Sequence, residues 1–296
     1  MRLEKIGIVL SALAVSFALS ADETPTERFV REARELYASP AGVNYTNTLV
    51  TAFLKEYAKP GEDIHALETG LGWRQIPYVR NVRDLGGWNG LATGQAFRGS
   101  QLYTNEIGGV SESTRAALAE LGVKTDLDLR GWDECEPNKK ETLNFDRVGL
   151  KRIHNQIQAY LKVWASTDAR KGFGRALKVF ARDENYPIYF HCKAGADRTG
   201  TLAWVLEGLC GASEVDMAID YELTSFAMMG QRLRSWYILT NAKEGEVDNL
   251  RWMIGYVKSF PGETLADKFA AMVKRDFGLT DQEIAVIRRH LGRKDD

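Results

Sequence analysis

The chain has 296 residues, of which 44% are hydrophobic and 27% are charged, with 27 glycines and 7 prolines. This is the composition of an ordinary globular protein, and it excludes collagen-like, disordered and low-complexity chains. The 39 basic and 40 acidic residues leave a formal net charge of −1, which argues against a protein that binds polyanions or nucleic acid through bulk positive charge. Three cysteines are too few for a disulfide scaffold.

The first 20 residues have the pattern of a secretory signal peptide. A short basic region contains Arg2 and Lys5, and an uncharged run follows over Ile6–Leu19. Ala18 and Ser20 are the small residues that precede a cleavage site. Because the uncharged run is short for a membrane span, cleavage is preferred to an uncleaved anchor. We expect an exported protein, periplasmic or secreted, without stable membrane insertion after cleavage.

Two amphipathic patterns, Thr24–Tyr37 and Leu49–Tyr57, predict an N-terminal helical extension over residues 21–75. Short β-prone runs follow at Ile76–Val82, Ala96–Arg98, Val123–Leu129, Phe145–Leu150 and Pro187–Phe190. Apolar spacing and capping residues predict helices over Ser111–Leu121, Lys171–Arg182 and Thr199–Cys210, and further helices that begin after Ser213, Thr264 and Thr280.

This order of elements predicts one α/β domain over residues 76–296. Its short, largely parallel central sheet would be flanked by helices, with helical additions at both ends of the chain. Ligands of open α/β sheets bind beyond the C-terminal ends of the strands, so we expect the functional site in the loops there.

The stretch Pro187–Gly211 (PIYFHCKAGADRTGTLAWVLEGLCG) predicts a strand, a loop and a helix, with Cys192 at the start of the loop. The backbone N–H groups of such a loop point inward, and the helix dipole adds about half a positive charge there. Both effects favour a thiolate or a bound phosphoryl group. Arg198 can return to the loop and hold two phosphate oxygens at once. This set suits attack on phosphorus through a thiophosphate intermediate.

Cys192 to Arg198 fits the Cys-x5-Arg signature of the protein tyrosine phosphatase superfamily. The run His191–Gly200 (HCKAGADRTG) resembles the HCxxGKDRTG loop of the bacterial tyrosine and lipid phosphatases. Further matches are Asn81–Gly87 (NVRDLGG), Phe97–Ser100 (FRGS), Asp128–Arg130 (DLR), and Phe277–Leu279 followed by Glu283 and Ile284. The resemblance runs from Tyr78 to Leu291 and implies a tyrosine phosphatase-like fold around a cysteine nucleophile.

Ala196 departs from the resembled loop, which has lysine at this place. That lysine is implicated, in the family, in recognising additional phosphates of inositol lipids. The departure weakens a phosphoinositide interpretation more than a phosphotyrosine one. Lys193, in the same loop, is a partial substitute.

The loop residues are assigned as follows. Cys192 is the nucleophile and Arg198 holds the phosphate, and the Thr199 hydroxyl would assist the thiolate or act as a plain helix cap. Backbone N–H groups of Lys193, Ala194, Gly195 and Ala196 would bind the phosphate oxygens together with Arg198. His191 is expected to hold the loop by hydrogen bonds rather than act as a base.

Three aspartates compete for the role of general acid. The resemblance implies Asp197, inside the loop, whose alternative role is to shape the loop through backbone hydrogen bonds. Asp168 lies on a separate loop, as the acid does in dual-specificity phosphatases. Asp128 follows a strand, where its side chain would pack against Arg130.

Other residues near the predicted strand ends have two interpretations. Arg83, Asp84, Arg98 and Arg130 either line the cleft or form a buried ion-pair network. Cys135 either stays unpaired or forms a reversible disulfide with Cys192. The run Met228–Trp236 would be a lid or part of the core.

We therefore predict an exported cysteine-dependent phosphatase that acts on a phosphorylated protein or a small phosphomonoester, with phosphotyrosine as the first candidate and dual specificity open. The alternatives are a phosphoinositide or inositol polyphosphate (phytase-like) phosphatase and a non-enzymatic phospho-binding pseudophosphatase. A sulfurtransferase is disfavoured by Thr199 and Gly200 after Arg198. No Cys/His cluster has metal-ligand spacing, so we expect no metal and no cofactor.

Overall fold

The structure is a computed structural model. It describes residues 23–38, 68–102, 110–131, 134, 150–227 and 249–293, together with positions 49, 52, 53 and 56. The predictions for the signal peptide, for Cys135 and for a lid at Met228–Trp236, and most of the helix predicted at Leu49–Tyr57, lie outside the described residues.

A five-stranded sheet forms the centre of the domain. Its strands are β1 (Arg83–Asp84), β2 (Ala96–Gly99), β3 (Thr125–Asp128), β4 (Lys151–His154) and β5 (Ile188–His191). Their order across the sheet is β1-β2-β5-β3-β4, and only the β1–β2 pair is antiparallel. The prediction of a largely parallel sheet is confirmed. Because β5 is the central strand, the chain that follows it leaves the sheet at the middle of its C-terminal edge.

Eight α-helices lie in the described residues: α1 (Pro25–Ala38), α2 (Glu112–Glu120), α3 (Thr167–Phe180), α4 (Asp197–Leu209), α5 (Glu214–Leu223), α6 (Asn249–Lys258), α7 (Leu265–Phe277) and α8 (Asp281–Leu291). Short 3₁₀ helices span Tyr160–Val163, Asp183–Asn185 and Thr224–Ala227. The predicted caps are confirmed, because the side chains of Ser213, Thr264 and Thr280 each accept a backbone N–H three residues later. None of the described helices is long and apolar enough to cross a membrane.

The alternating side chains of the central strand build a core on both faces of the sheet. Ile188 and Phe190 of β5 join the large cluster that packs under α3, α4 and α7. Tyr189, between them, points to the opposite face and joins the smaller cluster with Leu118 of α2. Period-two alternation therefore gives the sheet its two layers of helices. A third cluster joins α1 to α5 and to the 3₁₀ helix after it, where Phe226 lies 4.9 Å from Phe29 between ring centroids.

The strand predicted at Ile76–Val82 is wrong, because only Arg83 and Asp84 pair with β2. Tyr78 and Asn81 have φ values of 64° and 58°, and this left-handed backbone cannot continue a strand. Ile76 and Val82 are buried all the same, against the α2 side of the sheet. Their apolar character therefore reflects burial in a loop.

Three further boundaries differ from the prediction. The fourth strand, β4, is Lys151–His154 and follows the predicted run Phe145–Leu150, of which only Leu150 is described. The helix α3 begins at Thr167 instead of Lys171, because the side chain of Ser166 caps it by accepting the N–H of Ala169 at 3.1 Å. The next helix, α4, begins at Asp197, two residues before the predicted Thr199.

Candidate active site

The loop between β5 and α4 forms an anion cradle. It begins at Cys192 and ends at Ala196, the N-cap of α4, where no side chain caps the helix. The first N–H groups of this 13-residue helix are therefore available to an anion. Gly195 has φ of 68°, and a Cβ atom there would lie 2.4 Å from the carbonyl carbon of Gly99. Only glycine lets the loop turn this close to β2.

Two side chains from the β1–β2 edge hold the loop from behind. The carbonyl oxygen of Gly195 accepts hydrogen bonds from Nδ2 of Asn81 at 3.0 Å and from Nη2 of Arg98 at 2.9 Å. Arg98 and Arg83, both fully buried, are in turn paired with Asp220 of α5, with Nε of Arg83 at 2.7 Å from the carboxylate. Arg83 and Arg98 thus form the buried ion-pair network that the sequence left as one of two interpretations.

Glu207 of α4 lies beside this network without a hydrogen-bond partner in the described part of the chain, although its side chain is buried. Burial raises the pKa of Glu207 well above its usual value, and the neighbouring Asp220 carboxylate adds to the effect. Burial opposes ionisation of Asp220 too, but Arg83 and Arg98 outweigh it and lower the pKa of Asp220. The fold therefore favours the protonated form of Glu207 and the ionised form of Asp220.

Cys192 is 3% exposed, and it lies where the cradle favours a negative charge. Burial alone would raise the pKa of its thiol. Hydrogen bonds from the hydroxyl and the backbone N–H of Thr199, the charge of Arg198 and the N–H of Gly195 outweigh burial and lower the pKa below that of an ordinary cysteine. The Thr199 hydroxyl makes no hydrogen bond to an oxygen or nitrogen of the described residues.

Arg198 is paired with Glu134, a residue that the sequence analysis did not single out. Nη2 of Arg198 lies 2.8 Å from one carboxylate oxygen, and Nη1 contacts the other, so the pair is two-pronged. The hydrogen bond from Arg198 lowers the pKa of Glu134 to about 2 and raises that of Arg198. Glu134 thus occupies the same guanidinium face that a phosphate would use.

The three aspartates lie in different surroundings. Oδ1 of Asp197 accepts a hydrogen bond from the Tyr160 hydroxyl at 2.8 Å, and Asp197 lines a 330 Å³ cavity together with Arg198. Asp168 lines a neighbouring cavity of 680 Å³ that Arg198 does not line. Tyr160 itself has φ of 51°, an unusual backbone for a side-chain-bearing residue.

Asp128 belongs to a buried charge cluster. Burial would raise its pKa, but His191, Arg130 and Arg152 outweigh that effect and hold the pKa well below the usual range. Asp128 therefore remains ionised and has no proton to give to a leaving group, which removes it from the three candidate acids.

His191 is fully buried next to the nucleophile. Its Nε2 lies 3.1 Å from Oδ1 of Asp126, and its Nδ1 lies 3.1 Å from the carbonyl oxygen of Cys192. Burial lowers the pKa of His191, but Asp126 and Asp128 outweigh it and raise the value. These contacts fit the expectation that His191 holds the loop.

Lys193 supports the loop through its backbone. Lys193 is exposed, and its carbonyl oxygen accepts the N–H of Gln101 at 3.1 Å, which fastens the loop to the chain after β2.

Within the described ranges no group of three or more His, Cys, Asp or Glu side chains could hold a metal ion. That the chemistry needs no metal stays a prediction.

Comparison with known proteins identifies the family. The model of the tyrosine phosphatase family matches residues 74–293, which is most of the chain and includes the cradle, Asn81 and Asp220. The chain belongs to the tyrosine phosphatase family. A tyrosine-protein phosphatase of Nostoc commune is 28% identical over 146 residues, which are 43% of this chain and 49% of that protein. The chain thus spans about half the length of this tyrosine phosphatase relative.

Two solved structures are also similar to this chain. One is the core catalytic domain of the PP-IP phosphatase SIW14 from S. cerevisiae in complex with citrate, with a TM-score of 0.36 and 20% identity over 49% of this chain and 79% of that one. The other is the Siw14 catalytic core, with a TM-score of 0.39 and 16% identity over 63% of this chain and 90% of that one.

Proposed function

We propose that the protein is an exported cysteine-dependent phosphatase that hydrolyses phosphomonoesters through a cysteinyl-phosphate intermediate. The observation that carries the proposal is the buried Cys192 thiol, whose pKa is lowered by Thr199, Arg198 and Gly195 against the effect of burial. A thiolate beneath an uncapped helix start and next to a two-pronged cation is suited to attack a bound phosphate dianion.

In the first step, Sγ of Cys192 attacks phosphorus as the bond to the leaving oxygen breaks. Asp197 gives that oxygen its proton, and the resulting carboxylate is stabilised by the Tyr160 hydroxyl at 2.8 Å. In the second step, water attacks phosphorus, Asp197 takes its proton, and the Cys192 thiolate leaves with the Thr199 hydroxyl donating to it. Arg198 holds two phosphate oxygens throughout, after they displace the Glu134 carboxylate.

The first test is Cys192→Ser. Steady turnover of an aryl phosphate should be lost, because the hydroxyl is a poor nucleophile at neutral pH. Inorganic phosphate should still bind, because the cradle consists of backbone N–H groups and Arg198. Stopped-flow phosphate release and calorimetry measure the two quantities. Steady turnover by Cys192→Ser would contradict the mechanism.

The second test separates the two remaining candidate acids. Asp197→Asn should slow phosphotyrosine, with its high-pKa leaving group, about 10²-fold or more, and an activated aryl phosphate much less. Asp168→Asn is the matched comparison on the neighbouring cavity. If Asp168→Asn shows the leaving-group dependence and Asp197→Asn slows every ester equally, Asp168 is the acid.

Substrate and location are the finer parts of the proposal. Protein phosphotyrosine is the first candidate substrate, supported by family membership. A phosphomonoester with a polar leaving group, such as a phosphoinositide or an inositol polyphosphate, is the second, supported by the hydrogen-bonding side chains of Gln156, Gln158 and Ser166 in the lining of the 680 Å³ cavity. Export is supported by the N-terminal pattern, and fractionation with N-terminal sequencing of the mature protein tests it.

A further inference from the structure

A larger cavity opens beside the one above Arg198. The two have volumes of 680 and 330 Å³ and share a wall formed by Gln156, Ile157, Gln158 and Lys162. Because these residues line both spaces, a phosphoryl group on Arg198 has the larger cavity as its neighbour. The part of the substrate beyond the bridging ester oxygen therefore has room in the larger cavity.

Two cations in this larger cavity have no carboxylate partner among the residues that the structure describes. Lys162 makes no side-chain hydrogen bond or ion pair with any residue of the described chain, and it faces both cavities. Arg175 of α3 makes one side-chain hydrogen bond in the same part of the chain, from Nε to Oδ1 of Asn155 at 3.3 Å. Two cations that are not engaged by a carboxylate and line one concavity beside Arg198 can supply charge-assisted hydrogen bonds to a second anion.

Arg175 is oriented over the cavity by its neighbours. Nδ2 of Asn155 donates to the carbonyl oxygen of Gly172 at 2.9 Å, which fixes the amide that holds Arg175. A methyl group at Gly172, itself a lining residue, would lie 3.7 Å from Nη2 of Arg175. The guanidinium of Arg175 therefore lies next to Gly172, and the cavity has space here because glycine has no side chain.

The rest of the lining mixes hydrogen-bonding side chains with aliphatic ones. Among its described residues there is no Phe, Tyr or Trp, and Gln156, Gln158 and Ser166 supply hydrogen-bonding groups. Asp168 is the one acidic residue among them, so the positive charges of Lys162 and Arg175 outnumber it. This lining suits a hydroxylated, negatively charged leaving group better than a phenyl ring.

We propose that Lys162 and Arg175 form a second phosphate subsite, which binds a second phosphoryl group carried by the polar leaving group of the substrate. The inference rests on the proposed phosphatase function, because it takes the cavity above Arg198 as the reacting site. The substrate class is then a phosphomonoester that bears two or more phosphates on a hydroxyl-rich scaffold.

The test measures binding to the full chain carrying Cys192→Ser, with fructose 1,6-bisphosphate and fructose 6-phosphate as probes. The bisphosphate should bind about tenfold more tightly than the monophosphate, because it makes one more charge-assisted contact. Adding Arg175→Gln should reduce this preference to near unity, and Arg175→Lys should keep part of it because the charge remains.

Lys171→Gln is the matched control. Lys171 is an exposed cation on the same helix and does not line either cavity, so its removal lowers the positive charge of α3 equally without touching the subsite. The preference for the bisphosphate should survive in this variant. An equal loss in Lys171→Gln and Arg175→Gln would mean that long-range charge alone is responsible, and the proposal would be wrong.

A second arm uses a phosphotyrosine peptide with and without an adjacent glutamate. If Arg175→Gln affects only the acidic peptide, the second anion is a peptide carboxylate and the phosphate subsite is refuted. No preference for the bisphosphate in the parent Cys192→Ser chain also refutes it. Failure of the phosphatase proposal is seen separately, as steady turnover by Cys192→Ser, while the binding comparison remains readable.

Discussion

Burial alone would keep the Cys192 thiol protonated, and three groups of the cradle reverse that tendency. The hydroxyl of Thr199 is the largest favourable contribution, and it comes from the same helical turn that supplies the N–H donors. A thiolate that is stabilised in this way is a better leaving group in the second step. The same stabilisation favours the thiolate form, which is the nucleophile needed in the first step.

Thr199→Ala should therefore raise the apparent pKa of the Cys192 thiol, because the thiolate loses a hydrogen bond. The rate of alkylation by iodoacetamide as a function of pH measures this value, with Cys192→Ser as the blank for other thiols. Burial raises the pKa of Cys210 to about 12, so that thiol contributes little. Thr199→Ser keeps the hydroxyl and should titrate like the unchanged protein; an identical shift in both variants would contradict this account.

At the scale of elements, the cradle depends on the helix that follows α4. The carboxylate of Asp220 on α5 pairs with both Arg83 of β1 and Arg98 of β2, and Arg98 reaches the carbonyl of Gly195. The loop is thus held by two strands whose positive charges the α5 carboxylate offsets in part. Both arginines are fully buried, so neither can find water as a substitute partner.

Asp220→Asn should lower the free energy of unfolding by about 3–5 kcal/mol, because it leaves buried positive charge without compensation. Urea unfolding measures this loss, and kcat/KM should fall with it as Arg98 loses its support. Asp216→Asn is the matched control on α5, since Asp216 pairs with the partly exposed Arg34 and should cost less than about 2 kcal/mol. Equal losses in the two variants would mean that the charge balance at Asp220 is not special.

Some elements could be predicted from the sequence because their signals are local. Ser213, Thr264 and Thr280 are capping residues whose hydrogen bonds span three positions. The local sequence therefore predicts the starts of α5, α7 and α8. The sequence predicts a strand at Ile76–Val82, whereas the structure has a buried loop there, because burial in a loop and burial in a strand select the same apolar residues. No local pattern distinguishes the two cases.

The same contrast applies to the candidate site. Cys192 and Arg198 stand at a fixed spacing in one loop, so sequence alone brings them together. Glu134, Tyr160 and Asp220 reach the site from separate segments, and only the folded chain sets the distances of their side chains. The sequence signal for Glu134 is its place shortly after the end of β3. That place alone does not indicate that Glu134 pairs with Arg198.

Across the whole molecule, stability at different pH values should reflect the buried charges. Glu207 has a raised pKa in the folded protein, so the folded state binds its proton more tightly than the unfolded state does. Stability then falls as pH rises above the unfolded value, about 4.3, towards the folded value. Asp220 acts in the opposite sense: its lowered pKa adds stability that is present above about 3.9 and is lost as pH falls.

Glu207→Gln should remove the first of these effects and leave the second. Relative to the unchanged protein, the variant should gain up to about 1.4 kcal/mol of unfolding free energy for each pH unit above about 4.3, until the folded pKa is reached. Urea unfolding at a series of pH values measures the difference, in which contributions from His191 and Cys192 cancel. A difference that does not change with pH would show that Glu207 titrates normally in the fold.

The two hydrogen bonds to the carbonyl of Gly195 have a consequence for the next amide. Asn81 and Arg98 both draw electron density towards that oxygen. The peptide bond is conjugated, so the lost density comes in part from the nitrogen of Ala196, and its N–H becomes a stronger donor. Asn81 and Arg98, on the far side of the loop, thereby strengthen an N–H donor on the side that faces the phosphate. Infrared or ¹³C resonance of a labelled Gly195 carbonyl would register this polarisation directly.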